Sequence, residues 1–109
     1  MSKDDSPKGT CYEDAYRRFV DENENSVGGA KLVHGEVDNG SGRRITHAWL
    51  EGREEVWDPQ SKKIVSVQQY YEWYRPVAHA RFTRKEATWA YLSNRHYGPW
   101  TEESGKEPT

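Results

Sequence analysis

The sequence predicts one α+β domain in which an N-terminal, cysteine-bearing helix packs on a small antiparallel sheet and two further helices follow. Three observations predict it. Capping boxes recur at Thr10 with Glu13, Ser66 with Gln69, and Thr83 with Glu86, each placing a hydroxyl three residues before a side chain that reaches back to the helix start. Between the first two boxes, β-prone stretches are separated by the Asp-Asn-Gly-Ser-Gly run at 38–42, a strong turn signal. The chain is 109 residues long, enough for one modest core.

The first helix is expected over 11–22, where Cys11, Ala15 and Phe19 share a face flanked by Tyr12, Tyr16 and Val20. A loop at 23–29 leads to a strand at 30–37, on which Leu32 and His34 alternate against Val33 and Val37 and His34 is expected as a surface or edge residue. Strands at 44–50 and 54–57 follow, then a helix at 67–74, an extended piece at 77–82 and a helix at 84–95. In the 67–74 helix, Tyr70, Trp73 and Tyr74 have the i, i+3, i+4 spacing of a buried stripe. After the last helix, Gly98 and Pro99 suit a stop and a sharp exit, with Trp100 folding back on the core. The polar segments 1–9 and 101–109 read as tails flanking a folded unit at 10–100.

Hydrophobic residues make up only 33% of the chain, so its five Trp and seven Tyr must supply much of the burial. A net charge of −2 gives no electrostatic case for nucleic acid or an anionic membrane. No apolar run approaches the length of a membrane span or a signal core, and a lone cysteine forms no internal disulfide. These features lead us to expect a cytoplasmic protein, monomeric and without a cofactor. Cys11, His34, His47, His79 and His96 are potential metal ligands, but none forms a close-spaced pair, so no metal site is expected.

The chemistry points to Cys11, His47 and Asp58. With Thr10 as the cap, Cys11 opens the helix, where unpaired amides and the positive end of the helix dipole favour the thiolate. A lone cysteine is more commonly a small buried hydrophobe, so the thiol gains meaning only if His47 and Asp58 join it. Hairpin register supplies a reason for two of them to meet. A two-residue loop at Gly52 and Arg53, or a four-residue loop over 51–54, sets His47 opposite Asp58 with Cβ atoms roughly 4.5 to 5.5 Å apart. His47, Trp49, Val56 and Asp58 then share one face, and Ala48, Leu50 and Trp57 the other. For Cys11 to act, the first helix must cover the His47 face. The roles would be thiolate for Cys11, its partner and later general acid for His47, and control of the imidazole tautomer and charge for Asp58. Trp49 and Trp57, beside these residues, are candidate substrate contacts.

The segments Cys-Tyr-Glu-Asp-Ala, Leu-Val-His-Gly-Glu-Val, His-Ala-Trp-Leu-Glu and Val-Trp-Asp-Pro together resemble the catalytic core of the transglutaminase-like superfamily of papain-like thiol enzymes. The resemblance spans Cys11 to Pro59, about half the chain. It implies an α+β fold, a Cys-His-Asp triad at Cys11, His47 and Asp58, and acyl transfer from an amide, isopeptide or peptide through a thioester, with a protein or peptide as substrate. The pattern departs from larger members in lacking preceding helices, so no oxyanion partner beyond the Cys11 amide is identified. The alternative is a non-catalytic protein-interaction module on the same fold, phage-borne for example, using its aromatic surface.

Overall fold

The computed structural model describes residues 10–21 and 27–106. The expected tail at 1–9, residues 107–109, the last residue of the expected first helix and much of the loop expected at 23–29 lie outside the described residues, as does the side chain of Thr10 on which the first capping box depends. The domain is α+β, with a five-stranded antiparallel sheet and three α-helices. In chain order these are α1 (Thr10–Val20), β1 (Lys31–Asp38), β2 (Arg44–Glu51), β3 (Glu55–Asp58), β4 (Lys63–Ser66), α2 (Val67–Tyr74), β5 (Val77–Phe82) and α3 (Arg84–Asn94). The strand order across the sheet is β4-β3-β2-β1-β5.

The predicted capping box is complete at α3 and half formed at α2. Ser66 Oγ accepts from the Gln69 amide, and Thr83 and Glu86 bond each other reciprocally. Both helices stop on residues in the left-handed conformation, Arg75 and Arg95, and Pro76 prevents α2 from continuing. β4 was not expected. It has only four residues, all but Val65 exposed, and the Lys-Lys pair before Ile64 reads as loop.

Period-2 alternation sorts the side chains onto two faces. On one face Leu32, Ala48, Leu50, Trp57, Ala80 and Phe82 pack beneath α1 and α3, which contribute Cys11, Ala15, Phe19, Ala87 and Ala90. On the other, Val33, Val37, Trp49 and Val56 pack against Tyr70 of α2. The sheet is therefore covered on both sides. α1 lies over the Ala48 face and not over the His47 face, contrary to the condition set by the sequence reading. The expected stripe on α2 is also narrower than its spacing suggests: Tyr70 is buried, Tyr74 is partly buried, and Trp73 is 56% exposed. A helix of eight residues presents a narrow inward face, and Tyr70 occupies it.

His34 is a second correction. It belongs to β1, an interior strand, and is 2% exposed, neither a surface nor an edge residue. Tyr12, Phe82 and Trp100 surround its ring. Its Nδ1 accepts from the Trp100 amide at 3.1 Å, which returns the chain to the core after α3. The packed unit also extends beyond Trp100: a 3₁₀ turn at Glu102–Gly105 follows, and Gly105 is buried close to Phe82 and Glu86.

Gly35 lies opposite His47 in the β1/β2 ladder and at the irregularity between β1 and β5. A Cβ at Gly35 would stand 2.1 Å from the Val77 carbonyl oxygen, a clash with backbone that no rotamer relieves. Gly35→Ala should lower unfolding stability by about 1–3 kcal/mol, the usual cost of overpacking, measured as a reduced midpoint in urea at unchanged slope. An unchanged midpoint would refute this account of the β1/β5 junction.

Candidate functional site

The β2/β3 hairpin does not have the expected register. Leu50 pairs with Trp57 and Glu51 with Val56, leaving a loop over 52–54 closed by the Gly52 amide on the Glu55 carbonyl at 2.8 Å. The register is displaced by two residues. Two is the side-chain period, so the predicted faces survive, and His47 meets Asp58 diagonally across the strands. Two contacts hold this register. A Cβ at Gly52 would be 2.4 Å from the Gly28 carbonyl oxygen, so the loop packs closely on 27–28. Glu51, which would have faced Glu54 in the expected register, instead meets Arg81 at 3.2 Å and accepts from Trp49 Nε1 and Tyr71 Oη at 2.9 Å.

The three sequence-predicted residues come together in this geometry. His47 Nε2 lies 3.0 Å from Asp58 Oδ2, and both residues are buried, 3% and 7% exposed. The Cys11 side chain lies near enough to the same imidazole to favour its protonated form. Because Asp58 takes Nε2, the ring nitrogen left for sulfur is Nδ1. α1 reaches His47 from the opposite face because β3 is short. Continuing the observed register sets Asp58 level with Trp49, so β3 has ended before His47 and the first turn of α1 has access to the ring.

Burial disfavours a charged imidazole, but the hydrogen bond to Asp58, the nearby Cys11 and the charge of Asp58 outweigh it and raise the His47 pKa to about 9. Burial likewise opposes ionisation of Asp58, yet His47, with further hydrogen bonds from Tyr70 and the Gln60 amide, holds its carboxyl below the usual value. An ionised Asp58 beside a protonated His47 is the state these contacts favour. His34 is the contrast: buried with no opposite charge, it is pushed down to about 3.

The sequence reading missed Tyr70. Its hydroxyl donates to Asp58 Oδ2 at 2.5 Å, the oxygen that also meets His47, while Asp58 Oδ1 accepts from the Gln60 amide at 2.7 Å. The helical stripe that contains Tyr70 indicates only that the ring is buried; no sequence signal pairs its hydroxyl with a carboxylate twelve residues earlier. Trp49, expected beside His47, is wholly enclosed, with its ring near-parallel to the imidazole at 6.3 Å. Trp57 is 4% exposed and lies beneath the Arg18 guanidinium, 4.6 Å from its ring. It lines a groove of about 640 Å³ together with Asp14, Arg18, Lys62, Tyr91 and Tyr97. Asp14 and Arg18 stand three and seven residues beyond Cys11, on its side of α1.

Among the described residues, no group of three or more His, Cys, Asp or Glu is arranged to hold a metal ion, and no helix is long and apolar enough to cross a membrane. Comparison with known protein families, curated proteins and solved structures finds no match to this chain.

The two buried histidines should shape stability against pH with opposite signs. From an unfolded value of 6.5, His47 is raised, so its contribution is complete below pH 6.5 and is lost as pH rises through about 9. His34 is lowered, so its contribution is complete above 6.5 and is lost as pH falls toward about 3. Urea unfolding at stepped pH should give maximal stability near pH 6.5. His47→Gln should flatten the alkaline limb, and His34→Gln the acid limb between 6.5 and 4. A persisting alkaline limb in His47→Gln would show that another group causes it.

Proposed function

We propose that this protein is a small thiol hydrolase that cleaves an amide, isopeptide or peptide bond through a thioester on Cys11, in the manner of papain-like and transglutaminase-like enzymes. The observation that supports the reading is one buried imidazole bonded to a buried carboxylate, with the chain's sole thiol close enough to favour the protonated ring.

In the proposed reaction, Cys11 sulfur attacks the amide carbonyl carbon while His47 holds a proton. The first-turn amides of α1, which lack helical acceptors, provide a hydrogen bond for the developing oxyanion. As the tetrahedral intermediate collapses, the C–N bond breaks, the His47 proton passes to the leaving amine, and the acyl group remains on sulfur as a thioester. Water then attacks the thioester, giving one proton to His47, and the acid leaves as the C–S bond breaks. The thiolate and imidazolium are restored, and the net change is one water added across the C–N bond. Asp58 keeps Nε2 protonated throughout, leaving Nδ1 to exchange the proton with substrate. Trp49 packs behind the imidazole. The groove beside Trp57 and Arg18, which Cys11, His47 and Asp58 do not line, offers a peptide segment aromatic walls and charges of both signs on the Cys11 side of α1.

A second reading, a protein-interaction module on the same scaffold, draws support from the half-exposed Trp73 and Leu92, at 56% and 54%.

Incubation with a panel of peptide and isopeptide amides, followed by intact-mass spectrometry, should trap an acyl adduct on Cys11. Cys11→Ala should abolish turnover and the adduct, and His47→Ala should reduce turnover by roughly 10³-fold or more. Alkylation of Cys11 by iodoacetamide at neutral pH should slow in His47→Ala. Turnover retained in Cys11→Ala would overturn the thioester mechanism, whereas absence of turnover and adduct across the panel, with alkylation indifferent to His47, would overturn the hydrolase in favour of the interaction module.

A further inference from the structure

We propose that Tyr70 is a positioning residue of this site: its hydroxyl, donated to the Asp58 oxygen that also holds His47, fixes the carboxylate and limits how tightly Asp58 retains the imidazole proton. The inference deepens the thiol-hydrolase reading and takes its catalytic consequence from it; the coupling among Tyr70, Asp58 and His47 is measurable by itself.

Three observations carry the proposal. The first is the shared acceptor: Tyr70 Oη at 2.5 Å and His47 Nε2 at 3.0 Å meet the same oxygen, Oδ2. Two donors on one oxygen divide its charge, so each is held less strongly than it would be alone. The second is burial. Tyr70 is 1% exposed, in a cluster otherwise built from Val33, Val37, Trp49 and Val56, where a phenylalanine would fill nearly the same volume. A buried hydroxyl disfavours folding unless it is partnered, and the partner here is Asp58. The third is placement. α2 packs on the sheet face opposite α1, so this hydroxyl links the second helix to the Cys11, His47 and Asp58 cluster.

The groups facing the network are Cys11 from α1, Asp58 from β3, Tyr70 with Tyr74 behind it from α2, and Glu51 farther along β2. Burial and the Asp58 charge drive the Tyr70 phenol far above its ordinary range, so Tyr70 remains a proton donor at every working pH. Without it, the full carboxylate charge falls on Nε2–H and His47 becomes a weaker acid. Proton delivery to the leaving amine is the step that suffers.

The test is NMR titration of the His47 ring nitrogens in the full chain, with turnover followed against pH. Tyr70→Phe should shift the His47 midpoint upward and lower turnover roughly tenfold, with the turnover profile displaced to higher pH. Site-specific 3-fluorotyrosine at position 70, a more acidic phenol of nearly the same shape, should shift the His47 midpoint downward and keeps the test available if Tyr70→Phe fails to fold. An unchanged His47 midpoint in folded Tyr70→Phe, or a shift in the same direction for both variants, would overturn the proposal. If the midpoints move as expected while no acyl adduct ever forms on Cys11, the coupling stands and the hydrolase reading is what fails.

Discussion

A carboxylate enclosed between a sheet and a helix is the constraint on which the rest of this domain depends. Removing an ionised Asp58 from water costs several kcal/mol unless its lone pairs are satisfied, and the fold supplies three donors from three different segments. His47 on β2 and Tyr70 on α2 meet Oδ2, and the Gln60 amide in the turn after β3 meets Oδ1. Gln60 ties the turn after β3 to the carboxylate, His47 ties β2 to the end of β3, and Tyr70 ties α2 to the sheet. Removing the carboxylate would leave a buried imidazole and a buried phenol without their partner, so the loss would spread across both strands and the helix.

The division of the sheet into two faces explains how a thiol on one side reaches an imidazole whose side-chain alternation assigns it to the other. α1 is anchored by Ala15 and Phe19 against Ala48, Leu50 and Trp57, an apolar contact that fixes its axis without involving His47. The meeting occurs only because β3 is four residues long and ends before His47. A longer β3 would pair alongside His47 and close the route to Cys11. Strand length thus acts here as a determinant of the site, separate from the identity of any side chain. Ala15, one turn after the thiol and fully buried, has no bulk to hold the helix away from the sheet.

Much of this was legible in the sequence, for identifiable reasons. Ser66 with Gln69 and Thr83 with Glu86 locate helix starts because the capping atoms are local, three residues apart. Face membership in the hairpin was legible because it depends only on parity, which survived a two-residue displacement. The register itself was not: Glu51 is held by Arg81 and Tyr71, thirty and twenty residues away, and Gly52 by the approach of Gly28. β4 escaped because a four-residue edge strand with exposed side chains lacks alternation to read. Trp73 misled because its spacing from Tyr70 matches a stripe wider than the contact a single short helix makes. Tyr70 itself was placed in the core correctly, but its hydroxyl partner is a property of three-dimensional position alone.

The two buried histidines show why residue type alone did not decide chemistry. His34 and His47 occupy neighbouring central strands, are 2% and 3% exposed, and begin from the same side-chain chemistry. His34 lies among aromatic rings, accepts one backbone hydrogen bond at Nδ1, and leaves Nε2 buried without a partner. Desolvation is unopposed there, so the ring stays neutral and serves packing and the return of Trp100. His47 experiences the same desolvation, but a carboxylate and a thiol flank its two nitrogens, and the balance reverses. The carboxylate can do this only while it remains ionised within the fold, which the Tyr70 and Gln60 donors support. A buried histidine is therefore held protonated here through the partners that keep its neighbour charged.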